Sequence, residues 1–298
     1  MCKVNTKEEN QMSKIAIISD VNAGLDYLGY DPEIPVLRSI INFGDEHYID
    51  GIAIKADEFY ARLKANDSVI PSTSAPTVGE AMELLEKLIE EKYTDVIMYS
   101  ISYQLSSIGQ MVETLREEYE DKIKIHVVDT KTATYLQGYI AVTAKEMVKQ
   151  GKTVQEILDY SQYLIDHMHA YFVVDNLTYL VKNGRLSGAA GFMGNMLKIK
   201  PILEMNKEGK IVSKEKVKTH RKAVERALEM FLNEVKDAKK VKILVFHTLR
   251  EEDAKEIVKH LTDVCPNALP IELHMVTPAV GAHIGCGILG FGYFILEK

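Results

Sequence analysis

Three adjacent hydroxyls stand between two prolines in Pro71-Ser72-Thr73-Ser74-Ala75-Pro76. Proline fixes φ and pushes the residue before it toward extended backbone, so this stretch reads as a stiff loop. Thr77 with Glu80 three residues on has the pattern of a capping box, and Met82, Leu85, Leu88 and Ile89 continue it as a helix. Ser72, Thr73 and Ser74 are therefore expected at the positive end of a helix, where free N–H groups and the dipole suit an anion. Loops of this composition also serve simply as capping turns. Ser102 and Ser106 add two more hydroxyls, after the apolar run 95–101. Neutral hydroxyls can donate to a carboxylate or phosphate without bringing a fixed positive charge.

A second candidate is Thr277-Pro278-Ala279-Val280-Gly281-Ala282-His283-Ile284-Gly285-Cys286-Gly287. One histidine stands among glycine, alanine and isoleucine. Gly281 and its neighbours would let backbone approach a ligand or another backbone closely. His283 could bind an anion, or be a satisfied buried histidine. A third candidate is Gly184-Arg185-Leu186-Ser187, with Phe192, Met193, Met196, Leu197 and Ile199 after it. Two methionines make an adaptable apolar wall, although such stripes are commonly plain core. No catalytic set appears: there is no Gly-x-Ser-x-Gly elbow, P-loop, His-Glu-x-x-His, or Gly-x-Gly-x-x-Gly after a strand. Asp20 and Asp129 follow apolar runs and could act as acid and base, but carboxylates there also cap helices.

The elements that must position these residues alternate. Apolar runs at 14–19, 36–43, 48–54, 95–101 and 123–128 read as strands, and 57–64, 79–92, 105–115 and 132–149 as helices. Near-continuous apolar strands alternating with helices predict a parallel sheet covered on both faces, with ligands at the carboxyl ends of its strands. Thr153 with Glu156 is a second capping box. Beyond it, 199–205 and 211–217 flank Asn206-Lys207-Glu208-Gly209-Lys210 as a hairpin. Hairpin and crossover connections mix in this half. We expect an α/β protein with a three-layer parallel-sheet domain at 14–168, a two-layer mixed-sheet domain at 169–298, and an N-terminal extension at 1–13.

Bulk numbers agree with this. The 298 residues are 46% hydrophobic and 27% charged, enough for a sizeable core. The net charge of −7 argues against nucleic acid as a partner. Cys2, Cys265 and Cys286 are far apart with no metal-ligand spacing, so a reducing compartment is expected, and no metal or cofactor. No apolar run approaches a membrane span, and the first residues lack an apolar h-region. A cytoplasmic protein is expected.

Taken together these residues resemble the DegV family, and within it the fatty-acid-binding subunit of bacterial fatty acid kinase. The family's segments appear in order as Thr73-Ser74-Ala75-Pro76, Val128-Asp129-Thr130, Gly184-Arg185-Leu186-Ser187-Gly188 with Leu197-Lys198-Ile199-Lys200-Pro201-Ile202-Leu203, Glu215-Lys216-Val217-Lys218-Thr219, and His283-Ile284-Gly285-Cys286-Gly287. The resemblance implies a long-chain fatty acid between two α/β domains. Its carboxylate would be held by Thr73, the serines after 95–101 and His283, and its chain would run into the second domain. It also implies a separate ATP-dependent kinase that makes the acyl phosphate, with Arg185 and Lys218 facing that partner. The chain departs from the family at Ser102-Tyr103-Gln104-Leu105-Ser106-Ser107-Ile108-Gly109, where Tyr103 replaces a serine. Tyr103 is expected either to turn its phenol toward the head group or to pack against the neighbouring helix. The alternative reading is an enzyme acting on a small polar substrate at the strand-end rim, through Asp20, Asp129 or His283.

Overall fold

The structure, a computed structural model, describes residues 13–66, 69–192 and 199–298. The expected extension at 1–13 falls almost wholly outside the described residues, as do Met193, Met196 and Leu197.

The first half is built on a four-stranded parallel sheet. Its strands are β1 (Ile15–Asp20), β2 (Val36–Leu37), β6 (Asp95–Ser100) and β7 (Lys124–Asp129), in the order β2-β1-β6-β7. Successive side chains of a strand point to opposite faces. Ile15 and Ile17 of β1 therefore join Tyr135, Leu136 and Ile140 of helix α5 (Thr134–Lys149). Ala16 and Ile18 join Leu85 and Leu88 of α2 (Val78–Glu90), and Ile108 and Val112 of α3 (Ile108–Glu113), on the other face. Both faces are covered, as the apolar runs require.

Two parts depart from the sequence reading. The run 36–43 is not one strand. After β2, Arg38 turns out and binds Asp26 through two hydrogen bonds of 2.7 and 2.9 Å. The chain bends there, and β3 (Ile40–Phe43) enters a separate antiparallel sheet, order β4-β3-β5, with β4 (Glu46–Ile49) and β5 (Ser72–Ser74). The hydroxyl run is thus an edge strand and not a loop. Helix α1 (Ala56–Ala65) packs beneath this small sheet through Phe59, Tyr60 and Leu63.

After the short α4 (Arg116–Tyr119), α5 and α6 (Val154–Asp166), the chain enters a six-stranded mixed sheet, order β10-β9-β8-β13-β11-β12. It comprises β8 (Met168–Val173), β9 (Lys200–Met205), β10 (Ile211–Val217), β11 (Lys240–His247), β12 (Glu272–Met275) and β13 (Leu289–Glu297). The segment 206–210 is the turn between β9 and β10, and Gly209 adopts a φ of 82° there. Helices α8 (His220–Val235) and α9 (Glu251–Val264) cover one face, with Phe231 packed edge-on to Phe291 and Tyr293. The opposite face carries Ala170, Leu203, Leu244, Phe246 and Phe294, which share one core with Tyr135, Leu136 and Ile140 of α5. The two sheets are thus joined by a single apolar layer. Two short helices complete the chain, α7 (Thr178–Lys182) and α10 (Pro278–Ile284). No helix among the described residues is long and apolar enough to cross a membrane.

Candidate functional site

Thr73 and His283 meet. Strand alternation turns Ser72 and Ser74 outward and Thr73 inward, opposite Ile41 of β3. Its hydroxyl lies 2.8 Å from His283 Nε2. His283 stands in the last turn of α10, a helix the sequence reading missed. Thr277 caps it, accepting the Val280 N–H at 3.4 Å, and Pro278 opens it. Gly281 is placed for packing and not for ligand. A Cβ there would meet Phe59 Cε1 at 2.8 Å and the Tyr60 hydroxyl closer still, so its absence lets α10 press against α1. Tyr60 in turn donates to the Val276 carbonyl at 3.0 Å.

The pair opens on a cavity of about 320 Å³ between the two sheets, near the lower bound of about 300 Å³ usual for ligand sites. Thr73, Ser106 and His283 line it, with Asn22, Ser39 and Thr132 among further polar groups; Leu105, Leu136, Phe172, Met205, Phe246 and Ile288 belong to its apolar wall. Among the described residues that line it, Arg185 is the only formally charged side chain, and none is a carboxylate. The family resemblance puts Arg185 on a face turned toward a partner. Instead it is half-buried, and its guanidinium donates to the carbonyls of Leu105 (3.3 Å) and Asn183 (2.6 Å). Burial, helped by the Arg185 charge, pushes the His283 imidazole down to about 4. His283 is therefore neutral near pH 7, and its buried Nδ1 has no hydrogen-bond partner.

The helix end at this cavity also differs from expectation. The capping box of α2 closes on itself: Glu80 accepts the Thr77 N–H at 2.7 Å, and Thr77 accepts the Glu80 N–H at 3.2 Å. That end is exposed and does not reach the cavity. The start of α5 does, through Thr132, Ala133 and Thr134. Thr134 adopts a φ of 61°, a strained value for a β-branched residue.

The remaining sequence-predicted residues lie elsewhere. Ser102 is buried, and its hydroxyl donates to the Gly209 carbonyl at 2.7 Å, tying the parallel sheet to the β9–β10 turn. Tyr103 packs over Gly109 on α3, and burial together with Glu113 raises its phenol. It does not line the cavity. Asp20 is fully buried and accepts the N–H groups of Ile101 (2.9 Å) and Asn22 (3.1 Å), which fixes two cavity residues in place. Burial raises its carboxyl while those hydrogen bonds pull it back. Asp129 accepts from Tyr103 N (3.2 Å) and Lys131 N (3.0 Å), outside the lining. Lys218 is exposed just past β10. Leu186, next to Arg185, bridges Ile211 at the other end of that strand, so the two cations stand roughly 20 Å apart along it and not side by side. Among the described residues no group of three His, Cys, Asp or Glu side chains could hold a metal ion. Sequence reasoning missed Asn22, Ser39 and Thr132, since a lone polar residue after a strand carries no distinguishing signal.

The two sheets enclose a cavity whose described lining combines one cation with an apolar wall, a combination chemically complementary to an amphipathic anion. The chain belongs to the DegV family: the profile described as "Uncharacterised protein, DegV family" matches residues 14–296. A DegV domain-containing protein of Staphylococcus aureus is 34% identical over 282 residues, covering 94% of this chain and 97% of its own length. Among solved structures, a fatty acid binding DegV family protein from Streptococcus agalactiae superposes with a TM-score of 0.86 at 31% identity, over 95% of this chain and 99% of that one. DegV from Bacillus subtilis, described as a fatty acid binding protein, gives 0.85 at 28%, with the same coverage. The fatty acid kinase B3 protein of Streptococcus pneumoniae, at 19% identity and a TM-score of 0.80, covering 95% and 99%, shares the fold.

Proposed function

We propose that the chain binds a long-chain fatty acid in the cavity between its two units, dividing near Met168 where β8 begins, and presents the carboxylate to a separate ATP-dependent kinase for acyl-phosphate formation. The observation that carries this reading is the composition of the cavity wall: among the described residues it has one cation, neutral hydroxyls and a neutral imidazole, then aliphatic and aromatic side chains, and no carboxylate. Thr73, Ser106, His283 and Arg185 hold the carboxylate in this reading. Leu105, Leu136, Phe172, Met205 and Phe246 hold the acyl chain. The fatty-acid-binding relatives from S. agalactiae and B. subtilis support the ligand class. The kinase step rests on the sequence resemblance, and Lys218 is an exposed cation available to such a partner. The rival reading, acid–base chemistry on a small polar substrate through Asp20, Asp129 or His283, keeps only His283 at the cavity, because Asp20 and Asp129 are both outside its lining. We read the chain as a carrier without chemistry of its own. Native mass spectrometry of protein purified from cells tests this: a carrier retains a co-purified long-chain acid. A protein that arrives empty and takes up no added long-chain acid overturns the reading.

A further inference from the structure

Asp50 is fully buried where the chain turns from β4 toward α1. Its Oδ2 accepts the Ala279 N–H at 2.8 Å, across 229 residues. Ala279 lies in the first turn of α10, and that helix brings Val280, His283 and Ile284 to the cavity wall. The Asp50 backbone is committed as well. Its N–H donates to the Ser39 carbonyl at 3.0 Å, and its carbonyl accepts from Arg38 Nη1 at 2.9 Å. Ser39 also lines the cavity. The other carboxylate oxygen, Oδ1, is buried without a hydrogen-bond partner. One oxygen therefore holds the helix, and the other is an unsatisfied acceptor that penalises the ionised form.

We propose that Asp50 is a positioning residue that sets where α10 presents His283, and that it takes up a proton from solvent when an anionic ligand enters the cavity. The second half rests on the fatty-acid reading above. Burial is the main influence on the carboxyl. The Ala279 N–H opposes it, Asp26 adds to it, and Arg38 and the Gly51 N–H oppose it, with a net rise to about 7. The phenols of Tyr27 and Tyr60 also feel its charge. Asp50 is thus near half-ionised at neutral pH. A second negative charge beyond Ser39 favours the neutral form. The neutral carboxyl carries its proton on Oδ1 and still offers Oδ2 to Ala279. The helix stays held while one negative charge is removed from the neighbourhood of the ligand.

The test compares the parent with Asp50→Asn and Asp50→Ser. The imidazole NMR resonances of His283 in ligand-free protein report its placement. Calorimetry with a long-chain fatty acid, in two buffers of different ionisation enthalpy near pH 7, reports protons taken up. The asparagine variant keeps an acceptor for Ala279, so we expect parent-like His283 resonances with proton uptake lost. The serine variant is too short to reach, so we expect shifted resonances and at least tenfold weaker binding. Parent-like resonances and affinity in the serine variant overturn the positioning role. Parent-like proton uptake in the asparagine variant overturns the coupling and assigns the proton to His283. If the parent binds no fatty acid, the functional reading fails, but the ligand-free resonances still decide whether Asp50 positions His283. If the serine variant does not fold, a shifted His283 in the asparagine variant is the result that overturns the proposal.

Discussion

The Thr73 hydroxyl and His283 Nε2 lie 2.8 Å apart, although 210 residues separate them in sequence. Each can hydrogen-bond the other, so a carboxylate that binds either group competes with this bond. A hydrogen bond to a charged group contributes about 1.5–3 kcal/mol. Thr73→Val and His283→Ala should each weaken fatty-acid binding roughly tenfold to hundredfold. The double change should cost less than the sum, because each single change already breaks the shared bond. Titration calorimetry showing unchanged affinity in both single variants would sink the assignment.

His283 should make the ligand-free protein acid-labile. Its folded value, about 4, lies below the ordinary 6.5 because burial and Arg185 disfavour the imidazolium. A depressed base contributes stability that is complete above about 6.5 and is lost as pH falls through about 4. His283→Gln should flatten the urea midpoint across that window. A bound carboxylate stabilises the imidazolium, so the loaded protein should lose less stability there than the empty one. Identical pH profiles for parent and His283→Gln would remove His283 as the titrating group.

Arg185→Ala tests the cation at the cavity wall. Removing the charge should raise the His283 value, read by an imidazole NMR titration, because Arg185 is one of the two influences holding it down. The same change should weaken binding of a fatty acid more than binding of the corresponding alcohol, which carries no charge. Equal losses for acid and alcohol would mean that Arg185 acts through its contacts with Leu105 and Asn183 alone.

Ser102 and Tyr103 should separate stability from binding. Ser102→Ala leaves the Gly209 carbonyl without its donor, a loss of about 1–3 kcal/mol in a buried setting. Urea unfolding should register it, while fatty-acid affinity stays close to the parent. Tyr103→Phe should leave affinity unaltered, since the phenol lies toward Glu113 and not the cavity. A large drop in affinity for Tyr103→Phe would contradict the placement described here.

What the sequence disclosed was local. Both capping boxes form with the residues expected, at Thr77 with Glu80 and at Thr153 with Glu156. The hairpin turn 206–210 and the apolar strands Ile15–Asp20 and Asp95–Ser100 are where their patterns put them, because one short segment contains all the information. What stayed hidden depends on distant partners. Ser72–Ser74 is a strand because Ile40, Ile41 and Asn42 pair with it. Seven residues with a glycine in the middle make a helix at Pro278–Ile284 because Phe59 and Tyr60 fill the space that Gly281 leaves. The burial of Arg185 was hidden because only one of its two acceptors, Asn183, is near it in sequence, while the other, Leu105, is 80 residues away.

The serines flanking Thr73 have a use of their own. Strand β5 lies at the edge of its sheet, with a neighbour on one side only. A slip of one residue in a strand exchanges its inward and outward sets. In most edge strands such a slip would erase a binding group. Here a slip in either direction would bring Ser72 or Ser74 to the inward position opposite Ile41, so the triplet would keep a hydroxyl at that place.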